Sequence, residues 1–169
     1  MTAGGGAEGD AVDRVVAQWA DERPDLDLDA MATFGRLGRV AAHLTRAVEA
    51  VPEAHGLTLG EADLLWCLRR SGAPFTLTPS VLSRTLMLSP AGTTGRLDRL
   101  ESAGLVERRL DPDNRRSILV RLTDEGREVA DRVVAEHVAN EAALLAPLSA
   151  AERRAFDRAL RTLRASFEG

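Results

Sequence analysis

The sequence predicts a mainly α-helical protein with one small β-hairpin, and three observations support this fold class. Apolar residues recur at helical spacing in several segments of the 169-residue chain. The pairs Thr78-Pro79 and Ser89-Pro90 are typical helix starts, because the hydroxyl caps free N–H groups and proline loses no hydrogen bond at the first helical position. Two short aliphatic runs, 105–106 and 118–120, flank the turn-forming residues 111–114 and predict a hairpin.

The N-terminal third contains two predicted helices. Residues 1–9 are rich in glycine and predict a disordered leader. Residues 10–22 form an amphipathic segment that should stop before Arg23-Pro24, because a residue that precedes proline is driven out of the helical region. A longer helix is expected from about Asp29 to Val51, and a further helix from Leu59 to Arg70.

The C-terminal segment predicts two more helices, 124–145 and 149–167, which are separated at Ala146-Pro147. Together with residues 29–56, these helices carry more apolar positions than one small monomer should bury. We therefore expect residues 29–56 and 124–169 to form a helical dimerisation region of a homodimer. The alternative is a monomeric bundle in which the helices cover one another.

Residues 57–123 lie between these helices and follow the order helix, turn, helix, strand, turn, strand. This order is a winged helix-turn-helix, which is a way of presenting side chains to DNA. The net charge of the chain is −4, but residues 69–121 contain ten arginines and five acids, a local balance of +5. The basic surplus coincides with the winged unit and predicts double-stranded DNA as a partner. A two-fold dimer would match a palindromic operator.

The second helix of this motif, Ser89 to Ala103, is the predicted recognition helix. Leu97 and Leu100 should point inward with help from Thr93, while Arg96 and Arg99 share the opposite face with Gly92. Arginine can fork onto guanine or clamp phosphates, and hydroxyls can reach the backbone or thymine methyls. The expected contacts in this helix are Ser89, Thr93, Thr94, Arg96 and Arg99.

The tip of the hairpin supplies a second set of expected DNA contacts. Arg115 and Arg116 would enter the minor groove, where narrowing concentrates negative potential. Asp113 precedes Arg115 by two residues and would brace it.

The composition and motifs of the chain argue against several other classes of protein. The single cysteine, Cys67, permits neither an internal disulfide nor a cysteine-cluster metal site, and the three histidines lack ligand spacing. No nucleophile–base pair or phosphate loop is visible, so neither enzymatic activity nor a cofactor is expected. No apolar run is long enough for a membrane span and no signal peptide is visible, which predicts a cytoplasmic protein.

The segment GRLDRLESAGLVERRLDPDNRRSILVRLTDEG resembles the recognition helix and wing of the MarR family. The resemblance extends over about residues 30–166. It implies a dimeric winged-helix transcriptional regulator that represses genes and releases DNA on binding a small, often aromatic anion.

Four residues resemble the signature of the urate-responsive subgroup of that family, in which an added N-terminal helix occurs. They are Trp19, Asp63, Arg96 and Arg108. The resemblance implies that Trp19 and Arg96 contact the ligand, and that Asp63 and Arg108 are electrostatically coupled. Arg109 adjoins Arg108 and is an alternative for the wing position. Urate, a related purine and a citrate-like carboxylate all remain open as effectors.

The sequence leaves two further functions open. A thiol-based redox sensor of the same family would use Cys67, although the apolar residues around it favour a buried structural cysteine. The second is a winged-helix interaction module that does not bind DNA.

Overall fold

The structure, a computed structural model, describes residues 9–112, 114 and 117–167. Residues 1–8 of the predicted leader, and the wing-tip residues Asp113, Arg115 and Arg116, lie outside the described residues. The elements are α1 Ala11–Glu22, α2 Asp29–Ala54, α3 Leu59–Arg70, β1 Thr76–Leu77, α4 Pro79–Thr85, α5 Pro90–Ser102, β2 Val106–Leu110, β3 Ile118–Leu122, α6 Asp124–Leu144 and α7 Ala150–Phe167. The mainly helical fold with a β-hairpin is confirmed.

The described residues 9–46 form one compact unit, which contains α1 and most of α2. Asp10 caps α1 by accepting hydrogen bonds from the backbone of Val12 and Asp13. Arg36 of α2 donates to the Asp10 carboxylate at 2.8 Å, and this contact lowers the pKa of Asp10 to about 2. Val12 is buried against Gly35, where an added Cβ would lie only 2.8 Å from a Val12 methyl. The first helix is thus attached to the second by both charge and close packing.

The described residues from 47 to 167 form the second unit, and its hydrophobic core joins α3, α5, α6 and the sheet. The largest side chains that are fully buried include Leu64, Leu65 and Leu68 of α3 and Leu97 and Leu100 of α5. The predicted inward face of the recognition helix is therefore confirmed. α3 therefore contributes a large part of the core on which the recognition helix packs.

The predicted hairpin is part of a three-stranded antiparallel sheet in the order β1-β3-β2. β2 and β3 pair from Val106↔Leu122 to Leu110↔Ile118, and β1 pairs with β3 through Thr76↔Arg121 and Leu77↔Val120. The sequence prediction omitted β1. Two residues are too few to show the alternation by which a strand is recognised.

The helix ends follow the capping residues closely. Thr58, Thr78, Ser89 and Thr123 each accept a hydrogen bond from a backbone N–H in the first turn of the helix that follows. α2 continues to Ala54, beyond the expected end at Val51, and includes Pro52 in its last turn. Within the described residues, no helix combines the length and apolar character needed to cross a membrane.

Gly126 lies in the first turn of α6 against the backbone of Leu105, and replacing it with alanine should destabilise the protein. An added Cβ would lie 1.8 Å from the Leu105 carbonyl oxygen, so the backbone must move. We expect the free energy of unfolding to fall by about 1–3 kcal/mol, as in other overpacked sites, measured by urea denaturation.

The matched control for this variant is Gly38→Ala in α2. No atom lies within 4 Å of the added Cβ there, so alanine should leave stability unchanged or raise it by up to about 1 kcal/mol. Equal effects of the two substitutions would show that the contact with Leu105 does not limit stability.

Candidate nucleic-acid interface

α4 and α5 form the helix-turn-helix, and hydroxyl side chains start both helices. Thr78 accepts from the Val81 N–H at 3.3 Å, and Ser89 accepts from the Gly92 N–H at 3.1 Å. The turn between the helices places Met87 at φ 52° with its side chain almost fully exposed. The Ser89 hydroxyl is hydrogen-bonded to the backbone of the recognition helix. The free backbone N–H groups of this first turn also favour an anion such as phosphate.

The expected role of Thr93 is not supported. Its side chain is only 1% exposed, and its hydroxyl bonds to the Ser89 carbonyl at 3.1 Å and to Ser83 Oγ at 2.8 Å. Thr93 therefore joins α5 to α4 and cannot reach a base edge from this position. Thr94 is exposed, although its hydroxyl donates to the Pro90 carbonyl at 3.0 Å.

Arg96 and Arg99 both extend from α5 towards the first turn of α3. The guanidinium of Arg96 lies over Gly60, where an added Cβ would be 2.7 Å from its Nε atom. Arg99 donates through Nε to the Glu61 carboxylate. The two arginines share a face as predicted, but this face also meets α3, which sequence spacing alone did not indicate.

Glu61 connects the cap of α3 to the recognition helix. One carboxylate oxygen accepts from the Thr58 backbone N–H at 2.8 Å and from the Thr58 hydroxyl at 2.9 Å, while the other accepts from Arg99. Burial alone would raise the pKa of Glu61, but the hydrogen bonds from Thr58 and Arg99 lower it overall. Glu61 therefore remains ionised and holds Arg99 at neutral pH.

Replacing Glu61 with glutamine should uncouple the cap from the recognition helix. The amide keeps the shape but not the charge, and Arg99 is mostly exposed, so we expect a loss of only about 1 kcal/mol in stability. A double-mutant cycle with Arg99→Gln, followed by urea denaturation, measures the coupling. Additive effects of the two substitutions would contradict an energetic link between α3 and α5.

Arg108 of β2 connects the wing to the recognition helix by hydrogen bonds. Its Nη1 atom lies 2.6 Å from Asp98 and 3.0 Å from Glu101, and its Nη2 atom donates to the Thr94 carbonyl at 3.3 Å. The expected coupling of Arg108 to Asp63 is therefore wrong, because β2 places this arginine beside acids of α5. The alternative residue, Arg109, bonds to Glu107 at 2.7 Å.

Asp63 is influenced by the charges of arginines other than the one expected. Burial raises the pKa of Asp63, while Arg70, His137 and Arg96 act in the opposite direction. The structure thus brings Asp63 and Arg96 into the same electrostatic neighbourhood. Trp19 is on α1, in the first of the two units, and the residue is 45% exposed.

Some residues of the interface were missed by sequence reasoning. α4 and α5 line an open groove of about 560 Å³ that includes Ser80, Arg84 and Met87. The position of Arg84 in the first helix of the motif could have indicated a contact with the DNA backbone. Nothing in the spacing of Gly60 and Glu61 could have shown that α5 packs on them.

Cys67 is 3% exposed and belongs to the core cluster with Leu64 and Leu68. This placement is the one that the surrounding apolar residues predicted. The described residues contain no group of three or more potential ligands that could hold a metal ion.

Comparisons with known proteins agree with this geometry. The sequence profile of the MarR family matches residues 55–117. The transcriptional regulator PecS of Dickeya dadantii is 44% identical over 142 residues, which is 84% of this chain and 86% of PecS.

Two solved structures are also similar. Rv2887 of Mycobacterium tuberculosis, in complex with p-aminosalicylic acid, has a TM-score of 0.58 at 35% identity over 75% of this chain and 94% of Rv2887. A cysteine-to-serine mutant of MarR from E. coli, complexed with operator DNA, has a TM-score of 0.65 at 26% identity over 80% of this chain and 96% of that protein.

The helix-turn-helix with its wing, and the arginines that α5 carries, define a winged-helix DNA-binding protein. The chain belongs to the MarR family. It is a transcriptional regulator of the MarR/PecS type and not an enzyme.

Proposed function

We propose that this protein is a cytoplasmic repressor that binds a palindromic operator as a homodimer and is released by a small anionic ligand such as urate. The observation that carries the proposal is the position of Arg96. This residue belongs to the recognition helix, yet its guanidinium lies on Gly60 of α3, and its charge acts on Asp63. One cation is thus available to both DNA and a ligand.

Exposed groups on α4 and α5 support operator binding. Arg99 keeps 61% of its side chain exposed despite its bond to Glu61, so phosphate or guanine can compete for it. Arg84 and Thr94 are also exposed at the adjoining groove. The DNA contacts expected at the wing tip remain predictions for Asp113, Arg115 and Arg116. Thr93 is not proposed as a DNA contact, because it is buried.

The surface of α7 supports a homodimer. None of its described residues is buried, although Phe156, Leu160, Leu163 and Phe167 recur at spacings of three and four. This spacing places them in one apolar stripe along the helix. An exposed stripe of this size is typical of an interface, and a second copy of the chain presents the same stripe.

The chemistry of Trp19 and Arg96 supports a flat anionic effector. An anionic heterocycle needs a cation and a flat apolar surface, which arginine and tryptophan supply. Because ligand and operator would both use Arg96, their binding would be coupled, typically by about 1–3 kcal/mol. The similar Rv2887 is known in complex with p-aminosalicylic acid, which is also a flat anion.

The experiment that tests the proposal is titration of the protein–operator complex with urate, for the wild type and for Trp19→Phe. Phenylalanine removes part of the flat surface, so release should require about tenfold more urate, equivalent to about 1.4 kcal/mol. Operator affinity without urate should be unchanged, because Trp19 lies on α1 and not on the helix-turn-helix. A mobility-shift assay at physiological salt measures both quantities.

Val15→Ala is the matched control, because Val15 lies one turn earlier on α1 and is exposed to a similar extent. It should leave urate release unchanged. Release of DNA by urate at the wild-type concentration in Trp19→Phe would place the effector site elsewhere. Failure of the wild type to respond to urate would reject urate as the effector.

A further inference from the structure

The turn after α4 closes this helix with a Schellman motif, in which the chain reverses through one residue in the left-handed region. The Leu88 N–H donates to the Ser83 carbonyl at 2.9 Å, and the Met87 N–H donates to the Arg84 carbonyl at 3.3 Å. Met87 is the left-handed residue, with φ 52°. Glycine is the usual residue at this position, because a Cβ atom crowds the backbone there.

The same chain has glycine at the matching position after two other helices. Gly56 follows α2 with φ 72°, and Gly104 follows α5 with φ 73°. In both turns, the glycine and the residue after it make the same pair of backbone hydrogen bonds as Met87 and Leu88. Among the described residues, Phe75 is the only other non-glycine residue with a positive φ, and its side chain packs against the hydrophobic core.

Core packing does not explain the side chain of Met87. The residue is 92% exposed, which is the largest exposed fraction among the large apolar residues that the structure describes. A single exposed apolar residue is ordinary on a protein surface. An exposed one that also holds the backbone in an unfavourable region is not, because such strain persists mainly at functional sites. The position of Met87 in the turn of the helix-turn-helix suggests which function this is.

Met87 helps to line the groove between α4 and α5. Arg84 carries the only charge among the described residues of this lining, and Ser80 and Thr94 add exposed hydroxyl groups. A cation and hydroxyls suit the phosphates of DNA, whereas a thioether has little to offer an anion. The thioether suits the apolar atoms of a duplex, which are the methyl groups of thymine and the carbons of deoxyribose.

We propose that Met87 is a DNA-contacting residue whose side chain packs against apolar atoms of the operator, while Arg84 binds phosphate beside it. The left-handed turn holds the thioether out from the protein at the start of the recognition helix. Methionine in place of glycine thus makes the turn less stable and adds to the affinity for DNA. This inference requires the DNA binding of the proposed function, but neither its effector nor its dimer.

The experiment measures affinity by fluorescence anisotropy for a duplex that the wild-type chain selects from a randomised DNA pool. Met87→Gly removes the side chain and relieves the backbone. Affinity should therefore fall about tenfold, while the midpoint of thermal unfolding should stay the same or rise by up to about 4 °C. Met87→Leu keeps an apolar side chain of similar size and should stay within about threefold of the wild-type affinity.

Gly56→Met is the matched control, because it places the same side chain in the same backbone conformation outside the helix-turn-helix. No atom lies within 4 Å of the added Cβ at Gly56, so the substitution tests the backbone and not a clash. It should lower the unfolding midpoint by about 2–4 °C and leave the affinity for the duplex unchanged.

A second duplex, in which deoxyuridine replaces every thymidine, identifies the apolar atoms that Met87 contacts. If they are thymine methyl groups, the replacement should weaken binding by the wild type about fourfold more than binding by Met87→Gly. Equal weakening of the two proteins would assign the contact to deoxyribose.

Wild-type affinity in Met87→Gly would overturn this inference. A parallel loss of affinity and thermal stability in that variant would also overturn it, because Met87 would then only shape the turn. Equal losses of affinity in Met87→Leu and Met87→Gly would exclude an apolar contact. If the wild-type chain selects no duplex, this inference and operator binding both fail, whereas absence of a response to urate leaves this inference intact.

Discussion

A chain that lacks residues 149–169 is expected to run as monomers or aggregates, whereas the full chain should run as a dimer. The deletion removes α7, whose apolar stripe is exposed along its whole length. If that stripe packs against a second copy, its loss removes part of the interface and leaves the partner surface uncovered. Light scattering coupled to size-exclusion chromatography at micromolar concentration distinguishes these states.

Point variants test the contribution of the apolar stripe separately from that of the rest of α7. Leu160→Asp places a charge in the stripe and should shift the full chain towards monomer. Arg158→Asp makes an even larger change of charge near the opposite side of the helix, where the exposed residue is polar, and should still leave the dimer intact. A monomeric wild type, or equal effects of the two variants, would contradict an interface built on α7.

The local chemistry of the chain determined most of the fold prediction. Hydroxyl residues before Pro79 and Pro90 marked the starts of α4 and α5, and both helices begin at those prolines. The limits of α3 are those that the sequence predicted. Capping is a local interaction, so it can be identified from neighbouring residues without knowledge of the tertiary structure.

The site was less predictable because its contacts join distant parts of the chain. Arg99 bonds to Glu61, which lies 38 positions earlier, and Arg108 bonds to acids of α5 rather than to Asp63. Periodicity gives the face of a helix on which a residue lies, but it does not give the element that covers that face. For the same reason Thr93 could be assigned both to the core and to the DNA surface, until its burial placed it in the core.

Replacing Arg96 with alanine is expected to impair both binding functions. Operator affinity should fall by about 1–3 kcal/mol, the cost of losing one arginine contact to DNA. Urate affinity should also fall, because the Arg96 guanidinium, whose charge acts on Asp63, is the proposed cation for the ligand. Fluorescence anisotropy with labelled operator measures the first effect, and calorimetry with urate measures the second.

Arg99→Ala is the matched control, since Arg99 lies one turn further along the same face and bonds to Glu61 rather than lying over Gly60. It should weaken operator binding and leave urate affinity unchanged. Coupling between two ligands is reciprocal, so the wild-type protein should bind urate more weakly when saturated with operator. In Arg96→Ala the two ligands no longer compete for one cation, and operator should then have little effect on urate affinity. If operator lowers urate affinity in Arg96→Ala as much as in the wild type, another residue transmits the signal between the two sites.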